Sequence, residues 1–390
     1  MKSASPTALS PALCIVGRCE ERLWGRTSAE RLERQFAQAG VGLILSPDEA
    51  PGHDGPVILV RADAVLDQPL VAIIVRSPRL GLIGQGPDGP LPVAARVEAE
   101  AFEAAARLLR GEGGTDLALD LRAPAELDAA FWKGLRKRET PYALILTPGN
   151  RGAVEWRMFM GTYKGATDFI TKHVWPWPAF HATRLLAALG VTPNWVTLVA
   201  AVLTVAAFWL FLNGAFATGL AAAWAMTFLD TVDGKLARTT LTSSKWGDLF
   251  DHGLDLVHPP FWYIAWALGL SAVGQGLPDG LFWTAIGAIL IGYVLQRAVE
   301  GVAIKWLGLE IHIWRPIDTW FRQITARRNP NLALLTVATV LGRPDWGLIA
   351  VAAWTAICFV LHVIQLAQAF IAKRQNGPLS SWMELSAASR

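Results

Sequence analysis

The feature that most constrains the fold is a long run without charge. Between Leu185 and Leu229 the chain carries no charged residue. A helix that crosses a bilayer needs about 20 residues, so this stretch accommodates two spanning helices with a break near Asn213-Gly214. Further uncharged runs cover Leu256–Pro278, Gly280–Gln296, Asn329–Gly342 and Trp346–Ala372. The sequence therefore predicts an all-α membrane domain of six transmembrane helices over residues 185–375.

The charged residues are concentrated in the other half of the chain. Residues 1–184 hold 43 of the 67 charged side chains, although they form the shorter half. A net charge of +3 without a basic run argues against a nucleic-acid-binding protein. Three cysteines are too few for a disulfide framework. The sequence thus predicts a soluble N-terminal domain joined to a membrane domain.

The N-terminal domain, residues 1–150, has the pattern of an α/β fold. A helix is predicted over 28–39, because Thr27 and Glu30 form a T-x-x-E capping box and Gly40 follows as a C-cap. A second helix is predicted over about 97–110, before Gly111. This alternation predicts an open, mostly parallel sheet. Its strands are predicted from short apolar runs at Leu13–Val16, Val41–Leu45, Val57–Val60, Val71–Val75 and Leu80–Ile83.

Two further segments complete the domain organisation. Residues 151–184 mix aromatic and basic side chains, which predicts an amphipathic connector in the membrane interface. A polar-faced helix packed on the soluble domain is the alternative. Residues 376–390 form a C-terminal tail.

Loop charges predict the orientation of the membrane domain. The N-terminal residues lack the long apolar core of a signal peptide, and positive charge marks the cytoplasmic side. We therefore expect an integral protein of the plasma (bacterial inner) membrane with a cytoplasmic N-terminus. The basic residues assigned to the cytoplasmic side are Lys235, Arg238, Lys245, Arg297, Lys305, Arg315, Arg322, Arg327, Arg328, Lys373 and Arg374.

The acids of the membrane half are clustered. Eleven acids follow residue 184, and five of them fall between Asp230 and Asp255. Asp230 and Asp233 are spaced i, i+3 at the end of the second predicted span. Asp251 and Asp255 are spaced i, i+4 at the start of the third, so each pair shares one helix face. If the two helices are antiparallel neighbours, four carboxylates converge near the cytoplasmic interface, where ionisable groups are functional candidates.

Converging carboxylates repel one another unless a cation neutralises them. Carboxylate oxygens suit Mg²⁺ and Mn²⁺, and bound Mg²⁺ keeps positions for water and substrate phosphates. Gly234, Ala237 and Gly247 are small residues that permit close approach, and Lys235 and Arg238 can supply positive charge to a diphosphate. Solvated loop charges are the alternative, but they do not readily account for two helically spaced pairs.

The segment 230–255 resembles a known signature. It matches D-x2-D-G-x2-A-R-x8-G-x3-D-x3-D of the CDP-alcohol phosphotransferases at all eight fixed positions. Thr192-Pro193-Asn194 is similar to the family's TPN element, and the resemblance extends over about 170–375. It implies six transmembrane helices, a homodimer, and transfer of a substituted phosphate group from a CDP-alcohol donor to a hydroxyl acceptor with release of CMP. It also implies that one of the two substrates is a lipid.

The same resemblance implies residue roles. The resemblance assigns metal binding to Asp230, Asp233, Asp251 and Asp255, and nucleotide binding to Asn194, Gly234, Ala237 and Arg238. Two bound Mg²⁺ or Mn²⁺ ions would neutralise the diphosphate and the leaving oxygen. Asp255 would also be the general base, because a carboxylate within reach can take the proton of the acceptor hydroxyl.

The choice between subgroups stays open. Gly-Lys-x-Ala-Arg followed by Thr-Ser-Ser and Leu-Phe-Asp-His-Gly-x-Asp resembles the aminoalcohol phosphotransferases, which use diacylglycerol. The attached α/β domain instead resembles the bifunctional inositol-phosphate cytidylyltransferase and di-inositol-phosphate-phosphate synthase proteins, which make a soluble phosphodiester. A transporter that uses the acidic cluster is a further alternative, but the helices show no internal repeat.

The N-terminal domain is similar to a degenerate sugar-phosphate nucleotidyltransferase. Glu30-Arg31-Leu32 and Ala39-Gly40-Val41 resemble the first helix of that fold and the entry into its next strand. Val57–Asp63 resembles the strand that ends in a metal-binding Asp. Gly17-Arg18-Cys19-Glu20, however, has too few glycines for backbone approach to a triphosphate. We expect that this domain does not make CDP-alcohols.

Three arginines are candidates for binding the acceptor. In the lipid inositol-phosphate synthases a basic pocket holds the acceptor's phosphate, and Arg297, Arg327 and Arg328 are placed to form one. Anchoring of the cytoplasmic face by positive charge accounts for them equally well.

Overall fold

The protein is described by a computed structural model that covers residues 10–113, 117–127, 130–243 and 245–384. The side chains of residues 245, 246 and 248–252 also lie outside the described part. The chain divides into two compact units. The first comprises Met1–Gly134, Arg138–Thr162 and Thr239–Leu241, and the second comprises Leu135–Lys137, Tyr163–Arg238 and Thr242–Arg390.

The first unit is built on a mixed, open sheet. The described strands are β1 (Ala12–Val16), β2 (Arg22–Leu23), β3 (Arg26–Thr27), β4 (Ile44–Leu45), β5 (Pro56–Arg61), β6 (Ala64–Leu66), β7 (Leu80–Gly86), β8 (Gly89–Glu98), β9 (Asp120–Arg122), β10 (Phe131–Trp132), β11 (Lys137–Arg138) and β12 (Ala143–Ile145). The order in the sheet is β4-β1-β5-β8-β7-β12-β6, with β9 beside β7. Among the described pairings, β1 is parallel to β4 and β5, and β7 is parallel to β9 and β12. β8 runs antiparallel to β5 and β7, and β6 runs antiparallel to β12.

Four helices accompany this sheet. The predicted capping box starts the first: Glu30 N donates to Thr27 Oγ1 at 3.2 Å, and Thr27 N donates to Glu30 Oε2 at 2.9 Å. Gly111, with φ of +76°, ends the third helix as predicted. The helices are α1 (Ser28–Gln38), α2 (Gln68–Arg76), α3 (Phe102–Arg110) and α4 (Arg151–Gly161).

Two predictions for this unit are wrong. The run 71–75 is not a strand but lies in α2, because Asp67 caps the helix and Pro69 stands in its first turn. The helix predicted over 97–110 begins only at Phe102, since β8 continues to Glu98 and inserts antiparallel between β5 and β7. The sheet is therefore mixed: four of its described strand pairings are parallel and three are antiparallel.

The second unit is helical. Its long helices follow the uncharged runs of the sequence, and the helix over Asp279–Val302 continues into a π-helical turn at Ala303–Leu307. The helices are α5 (Pro176–Ala188), α6 (Pro193–Leu212), α7 (Phe216–Thr239), α8 (Lys245–Gly269), α9 (Asp279–Val302), α10 (Pro316–Phe321), α11 (Arg328–Val340) and α12 (Pro344–Asn376).

Four helices of the described chain are long and apolar enough to cross a membrane: Pro193–Leu212, Gly253–Val273, Asp279–Leu307 and Pro344–Asn376. The six predicted spans are therefore confirmed only in part. α7 ends in the charged segment from Asp230 to Arg238, and α11 has only 13 residues. At 1.5 Å per residue, α11 is too short for a hydrocarbon core of about 30 Å.

Close packing fixes α8 against α6. Trp266 of α8 is fully buried, and its ring centroid lies 5.0 Å from that of Phe211 in α6. Gly269 permits the approach, because a Cβ atom there would lie 1.9 Å from the carbonyl oxygen of Phe211. Trp262 Nε1 also donates to the Thr204 carbonyl at 2.9 Å. These contacts set the positions of the polar residues at the other ends of α6 and α8.

Candidate active site

Three of the four predicted metal-binding aspartates are described, and two of them share a partner. Arg328, the first residue of α11, donates from Nη2 to Asp230 Oδ2 at 2.6 Å. Its Nη1 donates to Asp255 Oδ1. The guanidinium therefore bridges the carboxylate of Asp230 in α7 and that of Asp255 in α8. We call Asp230, Asp233, Asp255 and Arg328 the carboxylate cluster.

Asp233 lies one turn after Asp230 and is more deeply buried. Its residue is 3% exposed, and Thr197 of α6 donates from Oγ1 to Asp233 Oδ2 at 2.6 Å. Asp233 Oδ1 is buried and has no hydrogen-bond partner within the described part of the chain. A buried carboxylate oxygen without a donor is costly. This oxygen fits a site for a divalent cation, which would supply the missing positive partner.

Asp251 cannot be placed in this cluster, because its side chain lies outside the described residues. Among the described side chains, no group of three His, Cys, Asp or Glu has the arrangement of a metal site. The four-carboxylate metal site therefore stays a prediction. The described residues supply the orphaned oxygen of Asp233 and the adjacent carboxylates of Asp230 and Asp255.

The predicted nucleotide-binding residues lie on α6 and α7. A Cβ atom at Gly234 would approach Arg238 Nη2 to 2.9 Å, so glycine lets the guanidinium lie against the helix backbone. Ala237 is half-buried on the following turn. Asn194 is exposed in the first turn of α6, one turn before Thr197. Spacing of i, i+3 places Asn194 on the helix face of Thr197.

The predicted acceptor-binding arginines separate into two groups. Arg327 does not join Arg328, although it is its neighbour in sequence. Its guanidinium contacts Glu300 of α9, which also accepts from Arg297 Nη1 at 3.2 Å. His312 Nε2 lies 3.1 Å from the same carboxylate. We call Arg297, Glu300, His312 and Arg327 the glutamate cluster.

Burial also lowers the pKa values of two basic side chains at the glutamate cluster, His312 and Arg322. Burial lowers the pKa of His312 to about 3, against the opposing effect of Glu300, so this ring is neutral near pH 7 and donates to the carboxylate. Burial and the repulsion of Arg327 lower the pKa of Arg322 to about 9. Arg322 Nε and Nη1 are buried, and no described residue accepts a hydrogen bond from them.

The start of α11 sends consecutive side chains to different partners. Arg327 reaches the glutamate cluster and Arg328 the carboxylate cluster. Asn329 Nδ2 donates to Asp168 Oδ1 at 2.9 Å, and Asp168 in turn accepts from Thr171 Oγ1 at 2.7 Å. A helix advances about 100° per residue, which is why neighbouring residues diverge.

Sequence reasoning missed Thr197, Glu300, His312 and Arg322. One signal was available for Glu300, because it is the one acid in the sequence between Gly280 and Lys305. Thr197 gives no such signal, since threonine is common in apolar helices and its partner is 36 residues away.

Asp63 of the first unit ends the segment that resembles a strand with a metal-binding aspartate. Asp63 follows β5, and its carboxylate is held by Arg61, with Nε–Oδ1 at 2.9 Å and Nη2–Oδ2 at 2.7 Å. A bidentate arginine satisfies both carboxylate oxygens. The pairing favours the expectation that this domain does not activate a nucleotide, which stays a prediction.

The helical unit thus combines helices long and apolar enough to cross a membrane with clustered carboxylates. Residues 190–326 match the sequence model of the CDP-alcohol phosphatidyltransferase family, and this segment is a CDP-alcohol phosphatidyltransferase domain. The chain is similar to an archaetidylinositol phosphate synthase of Pyrococcus horikoshii, with 27% identity over 184 residues. The similarity covers 47% of this chain and 87% of that protein. The family and the four apolar helices identify an integral membrane protein, whose domain belongs to a family of transferases.

Proposed function

We propose that the protein is a divalent-metal-dependent phosphotransferase that moves a substituted phosphate group from a CDP-alcohol to an acceptor hydroxyl and releases CMP. The observation that carries the proposal is the buried Oδ1 of Asp233, which has no hydrogen-bond partner among the described residues and interacts electrostatically with Asp230 and Asp255. Such a site attracts a hard divalent cation, and it lies in the segment that matches the family.

The residues have distinct roles in this proposal. Asp230, Asp233, Asp251 and Asp255 would hold two Mg²⁺ or Mn²⁺ ions, and these would neutralise the diphosphate and its leaving oxygen. The side chain of Asp255 is 41% exposed, against 16% for that of Asp230. Of these two carboxylates, that of Asp255 is the more accessible to an acceptor, and Asp255 is proposed as the general base.

The proposed reaction forms one phosphorus–oxygen bond, breaks another and moves one proton. The acceptor oxygen forms a bond to the phosphorus that carries the alcohol, and the bond from that phosphorus to the CMP oxygen breaks. The acceptor proton goes to Asp255. Asn194, Gly234, Ala237 and Arg238 are proposed to contact the CDP moiety, because Arg238 already lies against the bare backbone at Gly234.

The acceptor is proposed to carry a phosphate. The similar protein of Pyrococcus horikoshii is named for a product with an inositol phosphate head group. Arg297 and Arg327 outnumber Glu300, and Arg322, whose Nε and Nη1 have no acceptor among the described residues, adds further positive charge. Because Arg328 faces the aspartates, the acceptor's phosphate is proposed to bind at Arg297, Arg322 and Arg327. The donor is then the lipid substrate.

A CMP-release assay tests the reaction. Full-length protein in detergent is offered a panel of CDP-alcohols and polyol acceptors with Mg²⁺, Mn²⁺ or EDTA. Metal-dependent CMP release with one donor supports the proposal, and no release with any pair contradicts it. A water-soluble product would favour the soluble phosphodiester synthase instead. Substrate uptake into proteoliposomes without CMP release would favour a transporter.

The acceptor site has its own test. Arg322→Gln is expected to raise the KM for a phosphorylated acceptor about tenfold, as expected for one lost charge-assisted hydrogen bond. The KM for the CDP-alcohol is expected to stay constant. An equal rise of both KM values would contradict the assignment.

The arrangement in the membrane is also proposed. The N-terminal unit is expected in the cytoplasm of a cell with a plasma (bacterial inner) membrane, because the basic loop residues mark that side. Proteolysis of the first unit in oriented vesicles tests this. The homodimer is tested by light scattering of the detergent-solubilised protein.

A further inference from the structure

Arg328 occupies the position at which a cation would compensate two carboxylates. Its two terminal nitrogens contact Asp230 Oδ2 and Asp255 Oδ1. The Arg328 side chain is 15% exposed and that of Asp230 is 16% exposed. An arginine with both terminal nitrogens engaged is geometrically specific, and its pair with Asp230 has little access to water. Arg328 also lies just beyond the segment 190–326 that matches the family, so the family match assigns it no role.

The same oxygens are the ligands that a divalent cation needs. A carboxylate oxygen within hydrogen-bond distance of a guanidinium is not available for direct coordination, because two cations at van der Waals contact repel each other. Arg328 stands at the first position of α11 and is held by the helix start, while its long side chain has rotatable bonds. The guanidinium can therefore leave the carboxylates without unfolding the helix.

We propose that Arg328 is a built-in competitor of the divalent cation: it holds Asp230 and Asp255 together until a cation displaces its guanidinium from them. The inference rests on the proposed function, because it takes the carboxylate cluster as the metal site. Arg328 is a positioning residue in this scheme. It keeps the aspartates of α7 and α8 close to each other, and it sets the cation concentration at which the site is filled.

Equilibrium binding of Mn²⁺ alone tests the inference without turnover. Free Mn²⁺ is measured by electron paramagnetic resonance in titrations of the full-length, EDTA-treated protein. Arg328→Gln removes the competing charge and is expected to bind Mn²⁺ about 10- to 100-fold more tightly than wild type, the equivalent of one or two lost charge-assisted hydrogen bonds. Arg328→Lys keeps one charge but cannot bridge two carboxylates, so its affinity is expected between the two.

Arg327→Gln is the matched control. It removes the same charge from the adjacent residue, but this residue contacts Glu300 and not the aspartates. Its Mn²⁺ affinity is expected to equal that of wild type. If Arg328→Gln does not fold, Arg328→Lys decides the question by the direction of its shift.

Unchanged or weaker Mn²⁺ binding by both Arg328 variants would overturn the inference. So would tighter binding by Arg327→Gln of the same size, which would indicate a general charge effect. Wild-type CMP release, assayed in parallel, separates the two proposals. Metal-dependent release with unshifted Mn²⁺ affinity refutes only the role of Arg328. Absence of both release and Mn²⁺ binding refutes the metal-dependent function as well.

Discussion

The carboxylate cluster and the glutamate cluster differ in the sign of their excess charge. In the first, one arginine contacts two of the three described aspartates, and an oxygen of the third, Asp233, has no donor in the described chain. In the second, Arg297 and Arg327 share the one carboxylate of Glu300. Adjacent residues of α11 supply an arginine to each. The difference teaches that one cluster demands further positive charge, whereas the other has positive charge to offer to an anion.

The largest expected effect concerns the cluster with excess negative charge. Asp255→Asn removes the proposed base, and CMP release is expected to fall by about 10²- to 10⁴-fold. Steady-state assays at saturating Mg²⁺ measure the change. The matched control is Asp345→Asn, because Asp345 belongs to the same unit but pairs with Arg343. Near wild-type turnover of the Asp255 variant would remove it from the chemistry.

In the glutamate cluster, the next largest effect is expected on the free energy of unfolding. Glu300→Gln leaves Arg297 and Arg327 without their shared carboxylate, and only about one-fifth of the Glu300 and Arg327 side chains is exposed. An unpaired charge in such a site costs about 1–3 kcal/mol. Thermal unfolding in detergent is expected to show a clear loss. Glu310→Gln is the control: its pair with Arg136 is about one-third exposed, so a loss below about 1 kcal/mol is expected. Equal losses of stability in both variants would show that the Glu300 carboxylate contributes no more than the Glu310–Arg136 ion pair.

Orientation of Asp233 gives a smaller effect. Thr197→Val removes the hydroxyl that donates to Asp233 Oδ2, and loss of such a partner is expected to weaken Mn²⁺ binding about tenfold. Thr204→Val on the same helix is the control, because its hydroxyl donates to the Ala200 carbonyl. The same Mn²⁺ affinity for Thr197→Val and wild type would contradict a cation at Asp233.

The smallest effect is a pH dependence of the glutamate cluster. Folded His312 has a pKa of about 3, whereas an unfolded histidine titrates near 6.5. The unfolded chain therefore binds the proton first as the pH falls, and the free energy of unfolding decreases below about pH 6.5. The slope approaches about 1.4 kcal/mol per pH unit. Unfolding measured between pH 7 and 5 checks this, and His312→Gln should flatten the profile. A wild-type stability that rises toward pH 5 would refute a buried neutral ring.

Local patterns predicted much of the fold. The capping box of Thr27 and Glu30 and the left-handed glycine after α3 depend on neighbouring residues, and both are confirmed. The run 71–75 misled because apolar β-branched residues suit a strand as well as a buried helix. Its true signal was the cap at Asp67 with Pro69. β8 was missed because its alternation is weak, although it forms a hairpin with β7 whose turn, Pro87-Asp88, is followed by Gly89. Its other partner, β5, is distant in sequence.

The sequence by itself determined the apolar helical half, the clustering of acids on α7 and α8 and the family to which that segment is related. These features rest on composition and short spacing, which need no tertiary contact. Only the tertiary structure decided that Arg327 and Arg328 serve opposite clusters, and that Thr197 donates to Asp233. The physical reason is that helix packing brings side chains from distant parts of the chain together. The partner of a buried charge therefore follows from which helix faces meet, and spacing along one helix does not contain that information.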